Sequence, residues 1–142
     1  MQRLLPLFLS CLFLLAACGQ SPRAQFGEQL DAAFDRFLED TPGGEAPDHT
    51  ESTAALRADL AALDASSLSA EEQRTFLRIQ EDAEKLELAL AAALEAGEDV
   101  DKPPFQWANP EQGKVLMGFM GDTMEGIMDL GVEIQGESFL DD

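Results

Sequence analysis

From residue 25 onward, apolar side chains recur every three or four positions in four separate stretches, the spacing that lines one face of a helix. Over residues 25–40, Phe26, Leu30, Phe34, Phe37 and Leu38 share a face with Asp31, Asp35 and Glu39 opposite, and Thr41-Pro42-Gly43-Gly44 ends the run. A second helix is predicted over 50–65, with a narrow stripe of Leu56, Leu60 and Leu63 among Ala and charged residues, the pattern of a peripheral helix. Ser69 followed by Glu72 is a capping-box signature, in which side chains and orphan backbone N–H groups at a helix start satisfy one another. It opens the longest pattern, 70–96, with Phe76, Ile79, Ala83, Leu86, Leu90 and Leu94 in one seam and Gly97 as its C′ residue. Leu77 and Leu88 form a second stripe, so two neighbours are expected, and Glu81 to Lys85 is a favourably oriented i,i+4 pair.

After a loop over 98–107 that holds Pro103, Pro104, Phe105 and Trp107, Asn109-Pro110 supplies the N-cap and N1 residue types of a last helix, 110–135. There Met117, Met120, Met124 and Met128 fall within about 80° of one another at 100° per residue. Gly113, Gly121 and Gly131 stand beside them. Leu116, Ile127, Leu130 and Ile134 widen the same face, and Asp122, Glu125, Asp129 and Glu133 line the opposite one. Gly118, Gly121, Gly126 and Gly131 would each cost about 1 kcal/mol relative to Ala inside a helix, so either packing compensates or the helix is broken. The tail 136–142, with Phe139 and Leu140, is expected to fray or to fold back on the bundle. The expected fold class is all-α: a small antiparallel bundle of about four helices forming a single helical domain, 25–142.

The first residues have a different pattern. Arg3 precedes an apolar run from Leu4 to Leu15 broken only by Pro6, Ser10 and Cys11, which is the layout of an export signal. The weakly polar or apolar stretch reaching Cys18 would span about 22 Å as a helix, short of a ~30 Å bilayer core, so a permanent membrane span is the weaker reading. Leu15-Ala16-Ala17-Cys18, followed by Gly19, resembles the lipobox of bacterial lipoproteins. The resemblance implies cleavage between Ala17 and Cys18, with a diacylglyceryl thioether on Cys18 and an acylated amino group. The competing reading is an ordinary secretory signal cut after Ala17. Cys11 fits the pattern poorly, because Phe8-Leu9-Ser10 puts an aromatic where the family has Leu. Gly19 in place of Asp resembles the pattern sorted to the outer membrane in many Gram-negative bacteria, which implies a domain facing the periplasm. On this reading residues 1–17 are signal peptide and 18–24 are lipidated Cys and tether. Acyl chains contribute about 0.8 kcal/mol per buried CH₂, so several chains on one residue hold a protein at a membrane permanently.

Composition narrows the functional classes. The chain has 142 residues with 9 basic, 28 acidic and one His, a formal charge of −19; removing residues 1–17, with their one cation, leaves 125 residues and a charge of −20. Such a surface is repelled by phosphate, so nucleic acid is not an expected partner. Cys11 leaves with the signal and lipid consumes Cys18, so no disulfide is expected and the fold rests on its hydrophobic core. The acidity speeds encounter with a basic partner. Alternatively, it reflects a saline habitat, where large negative charge maintains solubility.

Candidate chemistry is sparse. No nucleophile-elbow, Walker, dinucleotide or Cys-x-x-Cys pattern is present, and no catalytic residues, resident metal or cofactor beyond the lipid on Cys18 are expected. His49 reads as a loop or helix-start residue. Glu98, Asp99 and Asp101 lack the alternating ligands of an EF-hand loop and read as a solvated charge run. The Met117, Met120, Gly121, Met124, Met128 face has three readings: a close helix contact in the core, an adaptable binding face, or soft-sulfur ligation of Cu(I). Phe105 and Trp107 are either an exposed aromatic contact or a cover for one end of the core. The favoured expectation is a non-catalytic interaction module, an accessory subunit or an inhibitor or immunity-like protein of an envelope partner. The alternative is a carrier or sensor of an apolar small molecule or soft metal through the Met/Gly face.

Overall fold

Ser21 and Pro22 start the first helix, α1 (Pro22–Asp40), three residues earlier than the apolar pattern suggests. The Ser21 hydroxyl accepts from the Ala24 N–H at 3.1 Å, while Pro22 brings a preset φ and no orphan donor. The computed structural model describes residues 20–40 and 49–136. The expected signal peptide, the lipidation position Cys18 and the tail with Phe139 and Leu140 lie outside the described residues. The other helices are α2 (His49–Ala61), α3 (Ala70–Glu95) and α4 (Pro110–Gln135), with short 3-10 turns at Ala65–Ser67 and Pro104–Gln106. No strand occurs among the described residues.

The helices pack antiparallel in a ring in which α1 touches α2 and α4, and α3 touches the same two helices from the other side. Across the ring, Phe26 of α1 meets Phe76 of α3 edge to face, with ring centroids 5.0 Å apart. Leu30, Leu56, Ile79, Leu86, Ile127 and Leu130 fill the space between, each essentially removed from solvent. Burying a side chain of this kind contributes about 1.5–3 kcal/mol. Leu68, in the α2–α3 connection, and Trp107, just before α4, close opposite ends of this core.

Local signals account for most boundaries. The capping box is complete: the Ser69 hydroxyl accepts from the Glu72 N–H at 3.2 Å and Glu72 Oε2 accepts from the Ser69 N–H at 2.8 Å. At the other end of α3, the Glu98 N–H reaches the Ala93 carbonyl and the Gly97 N–H the Leu94 carbonyl, the paired bonds of a Schellman motif, with Gly97 at φ +82°. α2 ends at Ala61, short of the expected residue 65. Asp64 instead accepts from the Ser66 N–H at 3.0 Å and caps the 3-10 turn that follows.

Some of the expected faces shift. Leu38, placed on the buried face of α1, is exposed, and Ala33 occupies the core instead. Leu77 and Leu88 also face solvent, as does Leu94, whose expected place in the seam is taken by Ala93; α3 makes its two helix contacts through the flanks of its main seam, as at Ile79 against α4. Lys85 pairs with Asp82 one turn back at 3.6 Å, so the ion pair is i,i+3.

α4 is continuous. Three of its glycines are occupied by close packing: a β-carbon on Gly113 would run into the Pro104 carbonyl oxygen, one on Gly126 would stand 2.8 Å from Ile79 Cγ1, and Gly131 is buried. Gly118 and Gly121 are different: among the described residues, nothing stands within 4 Å of where a β-carbon would be.

Candidate interaction surface

The methionine face predicted on α4 divides when the bundle assembles. Met120 and Met124 pack in part against the core, while Met117 and Met128 are 46% and 37% exposed. Gly121 is exposed between them, and Val132, 36% exposed, continues the line one turn beyond Met128. The four sulfur side chains thus run along the shoulder of the helix from core margin to solvent. Thr123, which the apolar pattern leaves unassigned, is fully buried beneath them; its hydroxyl donates to the Phe119 carbonyl at 2.7 Å, which satisfies the polar group within its own helix.

The aromatic pair divides as well. Trp107 is 5% exposed and its Nε1–H donates to the Lys102 carbonyl at 3.0 Å, whereas Phe105, two residues earlier, is 71% exposed on the 3-10 turn. Trp107 covers the end of the core and Phe105 stands outside it. The neighbouring acidic run is only partly a solvated one. Glu98 accepts from the Ala108 and Asn109 N–H groups at 2.9 and 2.8 Å and so secures the start of α4, and Asp99 pairs with Lys102.

One polar pair escaped the sequence reading. Arg23, assigned there to the tether, lies in the first turn of α1 and reaches Glu72 Oε2 at 2.5 Å, although the two are 49 residues apart. The Glu72 side chain is 4% exposed. The Arg23 hydrogen bond holds its carboxyl below the ordinary glutamate range, opposed by burial and aided by the Ser69 N–H. The same bond raises the Arg23 guanidinium. This is an internal tie between two helix starts, with both members committed to one another.

Two surface cavities lie between helices. One of about 270 Å³, between α3 and α4, is lined by Thr75, Arg78, Asp82, Asp122, Glu125 and Asp129. A second, of about 210 Å³, lies between α2 and α3 near Arg57, Leu60, Leu77 and Glu84. Neither is lined by methionine. Among the described residues, no three His, Cys, Asp or Glu side chains are grouped as metal ligands, and no helix is long and apolar enough to cross a membrane.

Charge is distributed unevenly over this surface. Arg36, Arg57, Lys85, Lys102 and Lys114 each pair with a carboxylate, as Arg23 does. From Val115 to the last residue the chain has no Lys, Arg or His, while Asp122, Glu125, Asp129 and Glu133 project from α4. Comparison with family models, curated proteins and solved structures finds no match to this chain.

Proposed function

We propose that the chain is a lipid-anchored acidic protein of the bacterial envelope that acts as a non-catalytic interaction module, an accessory subunit or an inhibitor of an envelope partner. Cys18 is the lipid-bearing residue of this reading, and cleavage falls between Ala17 and Cys18. The start of α1 at Pro22 leaves four residues, 18–21, between lipid and bundle, a reach of at most about 14 Å. The bundle end that holds Arg23, Glu72 and the C-terminus of α4 then faces the outer membrane. Phe105 lies at the far end, about 39 Å away along α4.

The observation that carries the interaction reading is the charge distribution on α4. Carboxylates in the C-terminal half of a helix oppose its macrodipole, and α4 has no basic residue in its last turn to offset them. Within the fold, Arg23 lies in the field of Glu133 and Arg78 lines one cavity with Asp122, Glu125 and Asp129, so the α4 carboxylates outnumber the cations that face them. A partner that brings further cations meets that excess, and the long-range field of an acidic domain speeds its arrival.

Two measurements test the proposal. Intact-mass analysis of the mature chain should show a residue-18 N-terminus bearing acyl chains, and a Cys18→Ser chain should leave the membrane fraction; an unacylated chain beginning at residue 18 would overturn the anchor. Capture of the tagged chain from detergent-solubilised envelopes should recover a basic protein that is released as salt rises to about 0.5 M, where screening shortens to a few ångströms. Recovery of nothing above background would overturn the interaction module.

A further inference from the structure

The outer edge of the seam between α1 and α4 has a composition that folding alone does not account for. Met117, Gly121, Met124, Met128 and Val132 lie within about 80° of the α4 circumference and extend for about 22 Å along it. Met117, Met128 and Val132 are exposed, and no described residue stands within 4 Å above Gly118 and Gly121. Each of those two glycines costs about 1 kcal/mol relative to Ala and receives no packing in return.

Carboxylates border the strip on both sides. On α4 they are Asp122, Glu125, Asp129 and Glu133. On α1 the register is set by Gly27, whose β-position would meet Ile134 and Gln135, so the antiparallel helices place Asp31 and Asp35 beside the strip's C-terminal half. Arg23 and Arg36, the cations of α1, are paired with Glu72 and Asp59; Arg23 also lies in the field of Glu133, and Arg78 of α3 lines a cavity with Asp122, Glu125 and Asp129, which leaves the carboxylates in excess.

We propose that this strip is the docking surface for a basic amphipathic helix of the partner, one whose apolar stripe lies over the Met and Gly positions while flanking Lys or Arg side chains meet the two acidic rows. The proposal rests on the interaction-module reading and names the partner's chemistry. Methionine supplies an adaptable apolar contact, and the open glycines allow another backbone to approach closely. A second copy of this chain is a poor occupant, because it would bring acidic rows against acidic rows on a chain of formal charge −19. An anionic lipid surface is disfavoured for the same reason.

The test uses the delipidated chain and three synthetic peptides of about 18 residues: a Leu/Lys amphipathic helix, the same pattern in Leu/Glu, and a scrambled Leu/Lys sequence. The Leu/Lys helix should bind, shift the methyl resonances of Met117, Met124 and Met128, and lose about tenfold or more in affinity on Gly121→Lys or Met128→Lys. Glu81→Gln, on the exposed face of α3, makes the same one-unit change of charge elsewhere and should change affinity by no more than about twofold. Circular dichroism confirms folding of each variant, and Gly121 has open space for the new side chain. Equal binding of the scrambled peptide, equal loss from the α3 variant, shifts confined to another surface, or a dimer disrupted by Met128→Lys would each overturn the proposal. Envelope capture that persists with Gly121→Lys would overturn this surface and leave the module reading in place, whereas failed capture by the unaltered chain would overturn that reading itself.

Discussion

Arg23 and Glu72 tie the first turn of α1 to the capping box of α3, with Nη1 and Oε2 2.5 Å apart. Glu72 accepts from the Ser69 N–H through the same oxygen, so a single carboxylate closes a helix start and joins two helices that face each other across the core. Arg23→Ala would leave a buried carboxylate short of its main partner. The expected loss is about 1–3 kcal/mol in urea unfolding. Arg36→Ala, which removes a solvent-exposed pair with Asp59, should cost less than about 1 kcal/mol.

The same carboxylate predicts a pH dependence. Because its native pKa lies below the unfolded value, Glu72 stabilises the fold above the unfolded glutamate pKa, and that contribution disappears as pH falls through the native pKa. The stability gap between the unaltered chain and Glu72→Gln should therefore be widest near pH 6 and narrow as pH falls below the unfolded glutamate value of about 4.3. Paired denaturation curves across that range check it. A gap that does not change with pH would show that the carboxylate's charge contributes nothing.

The glycines of α4 should sort by what surrounds them. Gly118→Ala and Gly121→Ala meet open space in a continuous helix and are expected to stabilise the isolated domain by about 0.5–1 kcal/mol each. Gly113→Ala drives a methyl group into the Pro104 carbonyl oxygen and should destabilise by about 1–3 kcal/mol. Thermal unfolding of the three variants separates them by sign.

The two aromatic residues near the start of α4 should separate equally clearly. Trp107→Ala opens one end of the core and orphans the Lys102 carbonyl, an expected loss of about 3–5 kcal/mol. Phe105→Ala should stay within about 0.5 kcal/mol, since the ring stands in solvent.

What could be read from the chain alone was what local chemistry decides. Ser69 with Glu72, Gly97 and Asn109-Pro110 mark helix ends because each acts on backbone groups within a few residues, and each does so in the fold. The helix period likewise identified the faces of α3 and α4 that carry Ile79, Leu86 and Ile127. It could not say how far a neighbouring helix covers the margins of such a face, so Leu38, Leu77, Leu88 and Leu94 fell on the wrong side. For the same reason the methionines read as one group, although Met120 and Met124 border the core while Met117 and Met128 meet solvent. Arg23 was missed because its partner is distant in sequence and its own segment read as tether. An N-terminal Ser-Pro, with Ser as cap and Pro as first helical residue, was the signal that would have placed it in α1.

The most direct test of the account places a photo-crosslinking residue at position 128 of the full chain in intact cells and, separately, at position 81 on the exposed face of α3. An anchored interaction module whose partner docks along α4 predicts one discrete protein adduct from position 128, weakened by raised salt, and none from position 81. No adduct from position 128, or the same adducts from both positions, would contradict it.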